Sequence, residues 1–166
     1  MLKNQRNLLL GVPKCGSTTA REFLVGERVS ILEPHILYQD IQGEFDNVYA
    51  FWRDPVDRFK SAVKFFNETD EDGTVWDARE IITGLMSGDP PLMLFKPQCE
   101  WYKNVPNLTI LPFSEYETSI RFLETIFGST GADIPRLHKT VTFLELDDDL
   151  EEMVRNYYKE DYEYVC

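Results

Sequence analysis

Lys14 stands in the run Gly11-Val12-Pro13-Lys14-Cys15-Gly16-Ser17-Thr18-Thr19, where an ammonium, three hydroxyls and two glycines fall within nine residues. That mixture suits a loop that surrounds a phosphate or sulfate with positive charge and N–H donors. The nucleotide-triphosphate pattern G-x-x-x-x-G-K-[ST] sets its lysine directly after the second glycine. Here Lys14 precedes Gly16, which argues against an ordinary ATPase. Arg53 and Ser61, eight residues apart, form a second set able to grip one phosphate between a guanidinium and a hydroxyl. Glu33 and His35 form a third set, a carboxylate and an imidazole, both of them proton acceptors when suitably tuned. Arg136 and Lys139 lie in the basic island RLHKT, which interrupts an acidic C-terminal region and is a candidate lid.

These side chains must be positioned by secondary structure. Leu8, Leu9, Leu10 and Val12 make a continuous apolar run, the pattern of a strand buried on both faces of a parallel sheet. Gly11, Pro13 and Gly16 break it, and Ser17 is expected to cap a helix with Ala20, Phe23 and Leu24 on its buried face and Gly26 at its end. Such a strand–loop–helix leaves the first helical N–H groups pointing at the loop. Val29–Leu32 offers a second strand. Pro34 stops it, so Glu33 and His35 fall at its C-terminal end, where open parallel sheets bind ligands. Partial burial there is expected to raise the pKa of Glu33.

Asn47–Trp52 reads as a third strand that delivers Arg53 to its end. Asp54 and Pro55 are a fitting N-cap and first helical residue, with Phe59, Ala62, Val63 and Phe66 on the buried stripe and Ser61 off it. An acidic loop, NETDEDG, then precedes a helix with Trp76, Ile81, Ile82, Leu85 and Met86 facing inward. Beyond Pro90 and Pro91, Lys96 and Gln98 either line an acceptor cleft or pack, while Trp101 reads as packing. Leu108–Pro112 is a fourth strand, and Ser114 is expected to cap a helix carrying Ile120, Leu123, Ile126 and Phe127 inward and ending at Gly128. The tail from Asp147 to Tyr164 reads as one helix with an acidic first turn, its inner face formed by Leu150, Met153, Val154 and Tyr157.

At 166 residues and 43% hydrophobic, the chain can bury a core as a single domain spanning 1–166. No apolar run approaches a transmembrane length, and MLKNQRN passes straight into the first strand without a signal-peptide core. The expectation is a soluble, cytoplasmic protein without a membrane anchor. Cys15, Cys99 and Cys166 are odd in number and lack metal-ligand spacing, so neither a disulfide framework nor a metal site is suggested. The formal charge of −12 disfavours nucleic acid, anionic membranes and highly sulfated polymers as partners. An anionic ligand must therefore be held by local positive charge, for which Lys14, Arg53, Arg58, Arg136 and Lys139 are the basic residues near loops.

The order Pro13, Lys14, Cys15, Gly16, Ser17, Thr18, Thr19 resembles the 5′-phosphosulfate loop of sulfotransferases that use 3′-phosphoadenosine 5′-phosphosulfate (PAPS). FWRDPVDRFKSAVKFF resembles their 3′-phosphate segment, in which an arginine is followed eight residues later by a serine, as Arg53 and Ser61 are here. LEPHILYQD resembles the segment after the second strand of heparan-type members, and QCEWYKNVPNLTILPFSEYETSIRFLETIFG the back half of carbohydrate sulfotransferases. The resemblance runs from about Leu8 to Tyr164. It implies an α/β fold, a P-loop-like three-layer α/β/α arrangement with a mostly parallel central sheet of four to five strands. The implied reaction moves a sulfuryl group from PAPS to a hydroxyl on a carbohydrate or small molecule, leaves adenosine 3′,5′-bisphosphate and needs no metal.

By the same resemblance Lys14 contacts the bridging oxygen, Thr18 and Thr19 the phosphate, and Arg136 and Lys139 the 3′-phosphoadenosine end. Glu33 is the general base, with His35 assisting or taking its place. The chain is shorter than the usual members, and the animal ones carry a Golgi membrane anchor, so a bacterial or viral setting fits better.

Two rivals belong to other classes. Cys15 and Arg21 satisfy the C-x5-R spacing of cysteine phosphatases, with Asp54 or Asp89, each followed by proline, as the candidate acid. A nucleotide-binding module without catalysis would keep the phosphate grips and lose activity at the base. The identity of the acceptor and the oligomeric state have no readable code.

Overall fold

The first three residues of the chain already depart from the sequence-based expectation. In the computed structural model, which describes residues 1–166 except 5, 25, 27, 28, 34, 70–74, 130, 132, 135–143, 165 and 166, the chain begins with a strand, β1 (Leu2–Lys3), and not with a lead-in. Asn4 then folds the chain back. Its Oδ1 accepts from the N–H groups of Arg6 and Asn7 at 3.1 and 2.9 Å, the Asx geometry of a turn. The next strand, β2 (Asn7–Leu9), therefore runs antiparallel to β1, with Leu2 opposite Leu9.

The chain continues through α1 (Ser17–Phe23), β3 (Ser30–Ile31), β4 (Asn47–Trp52), α2 (Pro55–Thr69), α3 (Ala78–Met86), α4 (Cys99–Tyr102), β5 (Leu108–Pro112), α5 (Tyr116–Phe127), α6 (Asp148–Tyr157) and α7 (Lys159–Glu163). Among the described residues this is a mixed α/β fold with a five-stranded sheet in the order β3-β1-β2-β4-β5. β2, β4 and β5 are mutually parallel, and β3 pairs with β1 antiparallel. The expected first, third and fourth strands thus form the parallel part of the sheet, the fourth at one edge, while the second sits at the other edge as two exposed residues.

Two compact units divide the chain: Met1–Arg53 with Gln98–Lys139, and Asp54–Pro97 with Thr140–Cys166. In the first, the sheet residues Leu8, Leu9, Val48, Ala50 and Phe51 share a core with Ala20 and Phe23 of α1, Trp101 and Tyr102 of α4, and Ile120, Leu123 and Phe127 of α5. The second is helical, with Phe59, Ala62 and Val63 of α2, Ile82 and Leu85 of α3, and Leu150 and Val154 of α6 around Phe95 and Tyr158. Asp54 caps α2 as expected, Oδ1 accepting from Val56 N–H at 2.9 Å and Asp57 N–H at 3.2 Å.

Several local expectations are corrected. Ser17 is the first residue of α1 and caps nothing; the N-cap is Gly16, held at φ 78°. The helix closes at Leu24, and Gly26 serves instead as a close approach, since a Cβ there would collide with the Phe127 carbonyl. Ser114 lies in a 3₁₀ turn (Phe113–Glu115), so Glu115 precedes α5. Trp76 and Met86 are 41% and 50% exposed and do not face inward. The C-terminal helix is broken between α6 and α7 at Tyr158, whose hydroxyl donates to the Phe95 carbonyl at 2.7 Å. No helix among the described residues is long and apolar enough to cross a membrane.

Candidate functional site

The loop between β2 and α1 is ordered from several directions. Leu10 N–H continues the pairing with β4 by donating to the Tyr49 carbonyl at 2.8 Å, and Gly11, Val12 and Pro13 follow as buried backbone. Lys14 then adopts φ 62° and Gly16 φ 78° on either side of Cys15. The left-handed region costs a lysine of order 1–3 kcal/mol, and such strain gathers where the surrounding structure imposes it. Gly16 is fixed from below, its carbonyl accepting from Tyr116 Oη at 2.6 Å, and a Cβ on it would meet the Tyr116 ring at 2.5 Å. Burial pushes the Tyr116 phenol far above its ordinary pKa, so it remains a donor throughout the usable pH range.

Arg53 lies one residue past the end of β4, the strand neighbouring β2. Its guanidinium donates from Nη1 to the Lys14 carbonyl at 3.1 Å and lies 4.8 Å from the centroid of the Phe113 ring. Lys14 and Arg53, 39 residues apart in sequence, therefore meet in one place. Gln98, fully buried, bonds the Arg53 backbone at both ends, accepting from its N–H at 3.0 Å and donating to its carbonyl at 2.8 Å. The same Oε1 accepts from Cys15 Sγ at 3.1 Å.

His35 also reaches this loop. Its Nδ1 lies 2.6 Å from the Gly11 carbonyl, which can only accept, so Nδ1 carries the proton and Nε2 presents the lone pair. Like Lys14, His35 has a positive φ, 65°. Among the described residues the other non-glycine cases are Asn104 and Asn107, a residue type that tolerates that region. Burial lowers the pKa of His35, opposed by the bond to Gly11 and reinforced by nearby positive charge that includes Arg21 and Lys14.

The remaining expected site residues are less concentrated. Glu33 follows β3 with an exposed side chain, so the partial burial expected to tune it is not there. Ser17 and Thr18 are half-buried, whereas Pro13, Cys15 and Thr19 are buried. Ser61 is half-buried on α2, in the second unit. Arg136 and Lys139 lie outside the described residues. Arg58, counted among the basic candidates, is fully buried, its Nη1 and Nη2 donating to the Leu94 and Lys96 carbonyls at 3.2 and 2.6 Å. Gln98, Phe113 and Tyr116 are the residues around the loop that sequence reasoning passed over or left undecided. Their signal is weak, because each acts on backbone at least 45 residues away or stacks on a side chain from another element.

No family model matches the chain, and no curated protein matches its sequence. In fold it is similar to the crystal structure of a sulfotransferase from Alicyclobacillus acidocaldarius, with a TM-score of 0.57 and 14% identity over 96% of this chain and 93% of that one. The likeness defines the class of fold, the P-loop-like α/β arrangement of a sulfotransferase.

Proposed function

We propose that this chain is a PAPS-dependent sulfotransferase that transfers a sulfuryl group to an acceptor hydroxyl on a carbohydrate or small molecule. The observation that supports it most is the bond from Arg53 Nη1 to the Lys14 carbonyl, which brings a guanidinium from the end of β4 to the lysine-bearing loop. The residues fit a nucleotide charged at both ends. Lys14, with the hydroxyls of Ser17 and Thr18 and the N–H groups from Gly16 to Thr19, suits a 5′-phosphosulfate. Arg53, stacked on Phe113, suits a 3′-phosphate, and Ser61, Arg136 and Lys139 are assigned to that end of the nucleotide by the resemblance alone.

PAPS, when bound, supplies the sulfuryl group and departs as adenosine 3′,5′-bisphosphate. Lys14 stabilises the charge that grows on the leaving phosphate, as a donor does in an oxyanion site. His35 takes the acceptor proton at Nε2. Its lowered pKa keeps the ring neutral near pH 7, and its bond to Gly11 holds the tautomer a base needs. His35 is preferred to Glu33 because it is tied to the loop while Glu33 is exposed.

The cysteine-phosphatase alternative requires an accessible thiolate at Cys15. Cys15 is 1% exposed and its Sγ is engaged by Gln98, so no observation favours that reading.

The test is calorimetric titration with adenosine 3′,5′-bisphosphate, ATP and inorganic phosphate in parallel, followed by a screen of hydroxyl compounds for sulfuryl transfer from PAPS. Strong preference for the bisphosphate, and transfer that Lys14→Ala loses, are expected. Equal affinity for ATP and the bisphosphate, or inorganic phosphate as the tightest ligand, overturns the proposal.

A further inference from the structure

We infer that Gln98 is the positioning residue that sets the aim of Arg53, and so confers on the site its preference for a nucleotide with a 3′-phosphate. This inference rests on the sulfotransferase reading and deepens it.

The sheet cannot hold Arg53 by itself. The ladder between β4 and β5 ends with Trp52 opposite Pro112, and the N–H and carbonyl of Arg53 fall on the β2 side, where β2 has already ended at Leu9. Arg53 is thus the first residue beyond the sheet, where a backbone ordinarily frays. Gln98 replaces the missing strand. Its carboxamide has the donor and acceptor of a peptide group, and both are spent on the N–H and carbonyl of this one residue, at 3.0 and 2.8 Å. The orientation of the amide follows from those partners, since an N–H requires an oxygen and a carbonyl requires an NH₂. Gln98 is 0% exposed, so water cannot substitute for either bond.

With its backbone fixed, Arg53 has a defined origin for its side chain. The guanidinium can then use Nη1 on the Lys14 carbonyl at 3.1 Å while lying 4.8 Å from the Phe113 ring centroid. A planar guanidinium recognises an oxyanion by direction as well as charge, so a small swing of its base degrades the grip. The bond from Cys15 Sγ to the same Oε1 links Gln98 to the loop as well, but a thiol is a weak donor and adds little hold on the 5′ side. The predicted signature is therefore selective for the 3′-phosphate.

The experiment measures, by titration calorimetry on the full chain, the affinities for adenosine 3′,5′-bisphosphate and adenosine 5′-phosphate in the wild type, Gln98→Met, Arg53→Ala and the double variant. Gln98→Met keeps the length of the side chain and removes its hydrogen bonding. It should reduce the bisphosphate preference by about tenfold, the size of a typical coupling between directly bonded groups. Affinity for adenosine 5′-phosphate should fall by less than that for the bisphosphate, as the 5′ side loses the thiol contact and part of the Arg53 hold on the Lys14 carbonyl. In the Arg53→Ala background Gln98→Met should take away no further preference, which a merely structural defect would not reproduce.

If Gln98→Met does not fold, Gln98→Glu takes its place. That variant retains an acceptor for the Arg53 N–H, loses the donor to the Arg53 carbonyl and should still lower the preference. A wild type that prefers the bisphosphate together with a Gln98 variant that keeps the preference overturns the inference alone. An equal loss on both nucleotides, or a full further loss on top of Arg53→Ala, also overturns it. A wild type with no preference removes the sulfotransferase reading and the inference with it.

Discussion

Arg53 and Arg58 are five residues apart, one at the end of the sheet in the first unit and the other on α2 in the second, and they are used in opposite ways. Both donate to backbone carbonyls and both lie against an aromatic ring, Phe113 at 4.8 Å for Arg53 and Tyr158 at 5.2 Å for Arg58. Arg53 remains partly exposed beside the Lys14 loop. Arg58 is wholly buried, and its guanidinium is committed to the segment at Leu94 and Lys96. Charge in an acidic protein is thus not enough to mark a binding residue. What separates the two is burial: Arg53 keeps part of its surface exposed at the loop, and Arg58 keeps none.

The largest effect expected in the first unit is on turnover at His35. Removing a general base costs roughly 10²–10⁴ in rate, so His35→Ala should fall by that much with little change in bisphosphate affinity, while Glu33→Gln should stay near wild type. The reverse result exchanges their roles. The pH profile carries the sign. Burial lowers the folded pKa of His35 below the ordinary 6.5, so the acid limb of turnover should fall at lower pH than that. Stability follows the same direction. An unfolded chain takes up its proton at 6.5 and the folded one only below it, so the contribution of His35 is full above 6.5 and is lost as pH falls through that window. An acid limb above 6.5 would point to another base.

In the second unit the comparison predicts a stability effect without a matching effect on binding. Arg58→Met leaves the Leu94 and Lys96 carbonyls without their donor, at about 1–3 kcal/mol for each group left unsatisfied. Part of this is offset, because a buried cation is itself costly and Arg58 Nε has no hydrogen-bond partner among the described residues. A net loss of about 2 kcal/mol in urea unfolding is expected. An unchanged midpoint would mean that the buried guanidinium contributes no net stability.

Much of the fold was legible where local chemistry and tertiary packing agree. The apolar run of β5 was read to the residue, and the Asp54-Pro55 start of α2 was read from its cap. The N-terminal hairpin was not, because a two-residue strand offers one apolar position and its only turn signal is Asn4. The break at Tyr158 was hidden by a helical pattern that continues across it while its hydroxyl is held by Phe95, 63 residues away. In the site, residue types pointed to Lys14 and Arg53 separately. Their meeting depends on the direction of the Lys14 carbonyl, which follows a left-handed backbone no residue type announces. Gln98 was undecidable for the same reason, as its partners lie 45 and 83 residues away.

The smallest expected effect is at Cys15, and its smallness is informative. Cys15 occupies the loop position at which a phosphatase would carry its nucleophile, and Arg21 supplies the matching arginine. A nucleophilic thiol must be accessible and ionised, whereas Cys15 is 1% exposed with its Sγ 3.1 Å from Gln98 Oε1. Serine at this position keeps a donor to Gln98 and is close in size, so Cys15→Ser should retain sulfuryl transfer to within about threefold, in keeping with a weak thiol contact. The same variant also separates the two chemistries on one loop. If wild type rapidly hydrolyses an aryl phosphate and Cys15→Ser abolishes that hydrolysis, the loop serves a cysteine nucleophile. Lys14 and Arg53 would then need another explanation.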